Sequence, residues 1–161
     1  MASASAVVAG SLGSLAPSRG ARVSTPSPMA APAAPGHALD LEPAACGSFP
    51  AQPLPLEAIR LQLRTWPEVE RYLHSCKAVI VPLGSTEQHG PTGAIGTDAL
   101  TAEAVALELG RRSGVLVTPA QAFGMAEHHL GFPGTVSLQP ATLMAVLHDV
   151  VLSLARHGFE R

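Results

Sequence analysis
Gly84-Ser85-Thr86-Glu87-Gln88-His89-Gly90, followed closely by Thr97-Asp98, puts a carboxylate, an imidazole and a second carboxylate within twelve positions. Hard oxygen and borderline nitrogen donors packed that densely suit a Zn²⁺- or Mn²⁺-type ion. Glu87 and His89 are two residues apart, so in an extended segment both side chains point to the same side. They can grip one ion or two adjacent ions. Asp98 opens a predicted helix and can turn its carboxylate back as a bridge. Each residue also has a plainer explanation. Asp98 alone is a first-turn acid favoured by the helix dipole, and Glu87 and His89 alone are solvated loop residues. Their joint placement in a Gly-rich loop after an apolar run favours the metal. The spacing of Gly84, Gly90, Gly93 and Gly96 matches neither the P-loop nor the dinucleotide pattern, so it makes a poor phosphate cradle.

Positioning these groups falls to the elements around them. Ala78–Leu83 is a short continuous apolar run, which reads as a strand covered on both faces. The loop 84–96 follows it, and ligands in α/β sheets usually bind at that carboxyl end. A helix is predicted from Thr97 or Asp98 to about Arg112, with Leu100, Ala104 and Leu107 as its buried stripe and Gly114 as its stop. Val115–Pro119 reads as a second strand. Upstream, residues 56–64 suit a short helix or docked arm. Thr65-Trp66-Pro67-Glu68 is a helix start with a capping box, and Val69, Tyr72 and Leu73 share one face of that helix. Downstream, a long loop spans 120–139, with a short strand expected at Thr135–Leu138. Pro140 opens a last helix that ends near His157, with Gly158 as its cap. Leu143, Val146, Leu147, Val150, Val151 and Leu154 give it a broad apolar face. The order helix–strand–helix–strand–helix predicts an α/β layer with parallel strands. A last helix of this kind normally feeds another strand of the same sheet, so the chain is expected to be shorter than its domain.

Residues 1–55 follow different rules. They are rich in Ala, Ser, Pro and Gly and hold nine of the fifteen prolines. Large apolar side chains are too sparse there to offset chain entropy, which predicts a disordered leader. Arg19, Arg22 and seven serines precede the first acid, Asp40. That pattern is similar to an organelle transit peptide, chloroplast or other; the alternatives are a tail without an address, in a cytoplasmic protein, and a weaker secretory reading. The net charge of −2 offers no basic surface for nucleic acid or anionic lipid. No run approaches the length needed to cross a bilayer, so a soluble protein is expected. Cys46 and Cys76 show no CxxC spacing and read as two unrelated thiols of a reducing compartment.

Two long blocks carry a resemblance. Val81-Pro82-Leu83-Gly84-Ser85-Thr86-Glu87-Gln88-His89-Gly90-Pro91 with Gly96-Thr97-Asp98 is one. Gly124-Met125-Ala126-Glu127-His128-His129-Leu130-Gly131-Phe132-Pro133-Gly134-Thr135-Val136-Ser137-Leu138 is the other, and Ser153–Phe159 agrees. Together they resemble the creatininase family of metal-dependent amidohydrolases, over about residues 65–161. The resemblance implies a three-layer α/β/α fold with a parallel sheet, cut after its first two or three strands, with residues 56–161 as a partial domain. It implies two divalent ions per full site, Zn²⁺ and/or Mn²⁺, with Glu87 on one ion, His89 on the other and Asp98 bridging. It implies hydrolysis of a non-peptide C–N bond in a cyclic or formylated amide by an activated water, a small-molecule substrate, and a homo-oligomer.

Glu127, His128 and His129 form an acid–imidazole cluster, which by resemblance lines the mouth of the site with His129 at the most recurrent position. The plainer reading is a hydrogen-bonded loop histidine. His148, beside Asp149, reads as a solvated helix residue, and His37, His74 and His157 have no functional reading. Phe132–Thr135 reads as a site-shaping turn. Two departures from the family set the substrate apart from creatinine. Thr92-Gly93-Ala94-Ile95 replaces a His-Leu-Pro-Leu type run, as in a photosynthetic-lineage subgroup, and Ala126 stands where many relatives have Ser. The family's remaining ligands follow the next strand and have no counterpart here. A non-catalytic subunit that joins full-length relatives is therefore the alternative to a hydrolase, and a single-metal binding protein is a third. An aggregation-prone isolated chain is also expected, from an uncovered edge strand and exposed helix faces.

Overall fold
The computed structural model describes residues 49–160; the predicted leader lies almost wholly outside them. Pro55 precedes a single helical turn, α1 (Leu56–Ile59), and a 3₁₀ turn follows at Leu61–Leu63. This is the docked arm expected for 56–64. Ile59 is 1% exposed, and Arg60 bridges Val117 in parallel. Helix α2 (Trp66–Ser75) starts as its capping pattern predicts. The Glu68 carboxylate accepts from the Thr65 backbone N–H and from Thr65 Oγ1, both at 2.7 Å. Those two bonds, aided by Arg64, hold the Glu68 carboxyl below the usual carboxylate range.

Strands β1 (Val79–Ile80) and β2 (Leu116–Val117) pair in parallel, Val79 opposite Leu116 and Ile80 opposite Val117. A further parallel bridge, Leu83 to Gln121, carries the pairing to the lip of the loop. Between the strands runs α3 (Thr97–Ser113), closed by Gly114 at φ 71°. The last helix is α4 (Pro140–Arg156). Two small cores lie on opposite faces of the sheet. Ile59, Ala106, Leu107 and Val117 make one, with Ile80 packed against it. Tyr72, Cys76, Leu116 and Phe159 make the other, with Val79 and Leu154 packed against it. Helices α1 and α3 thus cover one face and α2 and α4 the other, the expected α/β/α layering around a two-stranded parallel sheet.

Four expectations need correction. The first concerns coverage: β2 is buried, but β1 is only half-buried and Leu83 is exposed. β1 is not the fully covered strand that its apolar run suggests. Second, α3 buries Ala99, Ala106, Leu107, Gly110 and Ser113, whereas Leu100 and Ala104 are exposed. Small residues win this stripe because the helix lies close to β2. A methyl added at Gly110 would sit 2.7 Å from Val117 Cγ2, so a larger side chain has no room. Third, Thr135–Leu138 is not a strand; only Val136 bridges, antiparallel to Thr86. Fourth, Cys76 enters a disulfide, and Cys46, the other cysteine, lies outside the described residues. A separation of this length carries no pairing signal, and the cysteines give no argument for a reducing compartment. The apolar face of α4 contributes no buried residue, and Met144, Val151 and Leu152 are more than half exposed, in line with the expected exposed helix faces. Among the described residues no helix is long and apolar enough to cross a membrane.

After α4 the chain turns at Gly158 (φ 105°) and returns to the start of β1, where the Glu160 N–H donates to the Lys77 carbonyl at 2.8 Å. Tyr72 holds the region together. Its O–H donates to the Ala78 carbonyl at 2.7 Å and accepts from the Leu116 N–H at 3.2 Å. Burial pushes its phenol pKa up. Tyr72→Phe leaves both backbone groups unpaired, and stability should fall by about 1–3 kcal/mol in chemical denaturation; an unchanged midpoint would show that water replaces the hydroxyl.

Candidate metal centre
The site begins with a close approach. β1 leads into Gly84, and a methyl at that position would sit 2.6 Å from Ala99 N. Only glycine lets the strand end rest against the first turn of α3, and that contact brings Asp98 beside the loop. The loop then folds on itself. The Glu87 N–H donates to the Ile95 carbonyl at 2.7 Å, and His89 and Gly93 form an antiparallel bridge. A methyl at Gly93 would meet His89 Cβ at 2.6 Å. On its other side the loop is pinned to the 120–138 segment, with Thr86 Oγ1 donating to the Ala122 carbonyl (2.8 Å) and the Val136 N–H to the Thr86 carbonyl (2.9 Å).

The three sequence-predicted ligands divide. His89 and Asp98 meet, Nε2 to Oδ1 at 3.3 Å. Glu87 faces the second block: its Oε1 lies 3.7 Å from His129 Nε2, and its Oε2 accepts from Ser85 Oγ at 2.7 Å. Glu87, His128 and His129 form a group whose potential donor atoms all lie within 4.8 Å of one another. The rings of His128 and His129 are 3.9 Å apart. Of the mouth residues, His129 is half-buried, and Glu127 and His128 are exposed. Ala126, the Ser-to-Ala departure, is fully buried, and its N–H donates to Ser137 Oγ at 2.9 Å. His148 is exposed beside Asp149, as its helix position predicts.

His89 shows what the pair can hold. Its Nδ1 lies 3.1 Å from the Glu87 carbonyl. A carbonyl only accepts, so Nδ1 carries the hydrogen. The neutral ring then presents a lone pair at Nε2, 3.3 Å from a carboxylate oxygen. Two acceptors 3.3 Å apart need a cation between them, either a proton or a metal ion. This is the usual device by which one bond orients a ligating histidine, and the donor set fits a divalent ion. The Glu87 carbonyl first, and then the Asp98 and Glu87 charges, raise the His89 pKa above its ordinary value.

Sequence reasoning missed Ser85 and Gln88. Ser85 acts on Glu87 only two residues away but has no ligand chemistry of its own to draw notice, whereas the role of Gln88 depends on a partner the fold supplies. Gln88 reaches His129, forty-one positions away.

Comparison with known proteins follows from this geometry. A family model described as creatinine amidohydrolase matches residues 62–161. The chain is similar to a creatinine amidohydrolase of Pseudomonas putida, 36% identical over 103 residues, covering 60% of this chain and 40% of that protein. It is similar to a mycofactocin precursor peptide peptidase of Mycolicibacterium smegmatis, 44% identical over 84 residues, covering 48% and 34%. Among solved structures, a manganese form of creatininase superposes with a TM-score of 0.61 at 33% identity, over 65% of this chain and 43% of that one. A Zn–Zn form of a creatininase variant gives 0.59 at 33%, over 63% and 42%. The chain spans well under half the length of these relatives.

The raised His89 pKa gives a direct prediction. The folded state favours the imidazolium, so its contribution to stability is complete below the unfolded-state pKa and is lost as pH rises through the folded value. In metal-free protein, the His89 ring resonances should titrate above the ordinary histidine range, and Asp98→Asn should lower that midpoint without abolishing the shift, since the Glu87 carbonyl is the larger cause. A midpoint at or below the ordinary value would contradict the His89–Asp98 pairing.

Proposed function
The chain belongs to the creatininase family, and from that premise we propose that it contributes the first ligands of a metal-dependent amidohydrolase. The observation that carries the reading is the pair of lone-pair donors, His89 Nε2 and Asp98 Oδ1, facing each other with the far side of the ring already fixed. Glu87, His89 and Asp98 are the proposed ligands for two divalent ions, Zn²⁺ and/or Mn²⁺. Manganese and Zn–Zn forms among the structural neighbours support that choice. Bound ions of this kind polarise a carbonyl and lower the pKa of a water.

The chain's own residues prepare that chemistry. Ser85 holds one oxygen of Glu87, the Glu87 carbonyl aims the His89 ring, and Gly84 seats Asp98 across from it. Glu127 and His128 are exposed at the rim, where a small substrate would meet them. The proposed reaction is hydrolysis of a C–N bond in a small cyclic or formylated amide. The relatives' names cover creatinine and a precursor peptide, so the shared loop does not by itself select a substrate. Equilibrium dialysis of the full chain should show Zn²⁺ or Mn²⁺ uptake. His89→Ala and Asp98→Asn should each weaken it by more than about a hundredfold, beyond the 10–100-fold typical of losing an outer-shell partner. Uptake no greater than that of a Glu87→Gln/His89→Ala double variant would overturn the proposal.

One observation favours a second reading, a subunit that acts within an assembly. Val79 and Val81 of the β1 segment and Val151, Leu154 and Ala155 of α4 line an open apolar groove of about 330 Å³. It lies away from the ligand loop, and exposed Met144 and Leu152 extend the same helix. Such a surface is typical of a protein–protein contact or an aggregation liability. Sedimentation of the full chain should show concentration-dependent self-association that Val151→Asp reduces; a monomer at all concentrations would remove this reading.

A further inference from the structure
His129 looks like a fourth metal ligand by proximity, because its Nε2 and the Glu87 carboxylate lie close together. Its hydrogen bonds say otherwise. The Gly90 backbone N–H lies 2.8 Å from Gln88 Oε1. A backbone N–H can only donate, so this atom of Gln88 is the amide oxygen. The other end of the amide is therefore the NH₂ group, and it lies 2.9 Å from His129 Nδ1. An amide NH₂ also only donates. Nδ1 must accept, and the ring hydrogen of neutral His129 sits on Nε2, the atom that faces Glu87 Oε1 across 3.7 Å. Glu87 thus has a hydroxyl donor, Ser85, on one oxygen and an N–H facing the other.

We propose that Gln88 is a positioning residue that fixes the tautomer of His129, so that His129 presents an N–H to the carboxylate of Glu87 and does not itself bind the ion. This rests on the proposed role of Glu87. It also divides two histidines of one loop cluster by function. His89 gives its Nδ1–H to a carbonyl and keeps Nε2 open. His129 receives at Nδ1 and offers Nε2–H. The order of the chain explains how Gln88 reaches His129 from within the ligand loop. Gln88 lies between Glu87 and His89, its N–H is held by Thr135 Oγ1 at 3.2 Å, and its side chain reaches the second block while Gly90 locks the amide orientation.

The test reads the tautomer on the metal-free full chain. Two-bond ¹⁵N–¹H correlation spectra at a pH where His129 is neutral should show the Nε2–H form. Gln88→Glu replaces the donor by an acceptor and should move the hydrogen to Nδ1 or leave both nitrogens protonated. Gln88→Met should give a mixture of tautomers, and it serves as the second variant if Gln88→Glu fails to fold. An Nδ1–H form in the unsubstituted protein, or one unmoved by either substitution, overturns the assignment. Metal affinity supplies an independent arm. His129→Gln should cost about 10–100-fold in Zn²⁺ affinity, as an outer partner does; a larger loss would make His129 a ligand. If the unsubstituted chain takes up no metal, the proposed function fails while the tautomer measurement still decides this inference.

Discussion
The absence of a side chain at position 84 is the constraint on which the site depends. β1 delivers the ligand loop and α3 delivers Asp98, and the two can converge only where the backbone of Gly84 touches that of Ala99. A methyl there has nowhere to go, because the neighbouring atoms are main chain and cannot swing aside. Pushing α3 away would separate Asp98 from His89 and also pull Ala106 and Gly110 off β2, since one helix carries both contacts. Core packing and ligand convergence are therefore set by the same rigid-body position of α3.

Within the loop, polarity is arranged so that each group has one determined role. The Glu87 carbonyl accepts from His89, the Ser85 hydroxyl donates to the Glu87 carboxylate, and Gln88 has one end of its amide fixed by Gly90. Main-chain groups do much of this work, and main-chain groups cannot switch between donor and acceptor. That removes the ambiguity that usually attends imidazole and amide side chains. The negative charges of Asp98 and Glu87 near His89 in turn favour a cation there.

Much of this was legible in the sequence, and the failures share a cause. The Thr65–Glu68 start, the Gly114 and Gly158 stops and the order of elements could be read because capping and turn chemistry act locally. The carboxylate–imidazole–carboxylate spacing was also visible, as was the second block. What could not be read depended on distance in space. Leu107 was read correctly, but the rest of the buried stripe of α3 is Ala99, Ala106, Gly110 and Ser113 although Leu100 and Leu109 are larger, because close approach to β2 limits side-chain volume at Gly110. The apolar run 78–83 gave no hint that one side of β1 lies open beside α4. Gln88 was passed over between two more reactive neighbours, since only the folded chain brings His129 to it.

The turn from Gly90 to Ile95 is exposed throughout, yet it is stapled at both ends, by the Glu87–Ile95 bond and by the His89–Gly93 contact. Exposed positions of its tip can accordingly change composition without disturbing the donors anchored at its base, whereas Gly93, packed against His89, cannot. Thr92 and Ala94 belong to that tip, and they fall in the run where this chain parts from the commoner family pattern. Such an arrangement lets the base keep its donor geometry while the solvent-facing tip differs in shape and polarity.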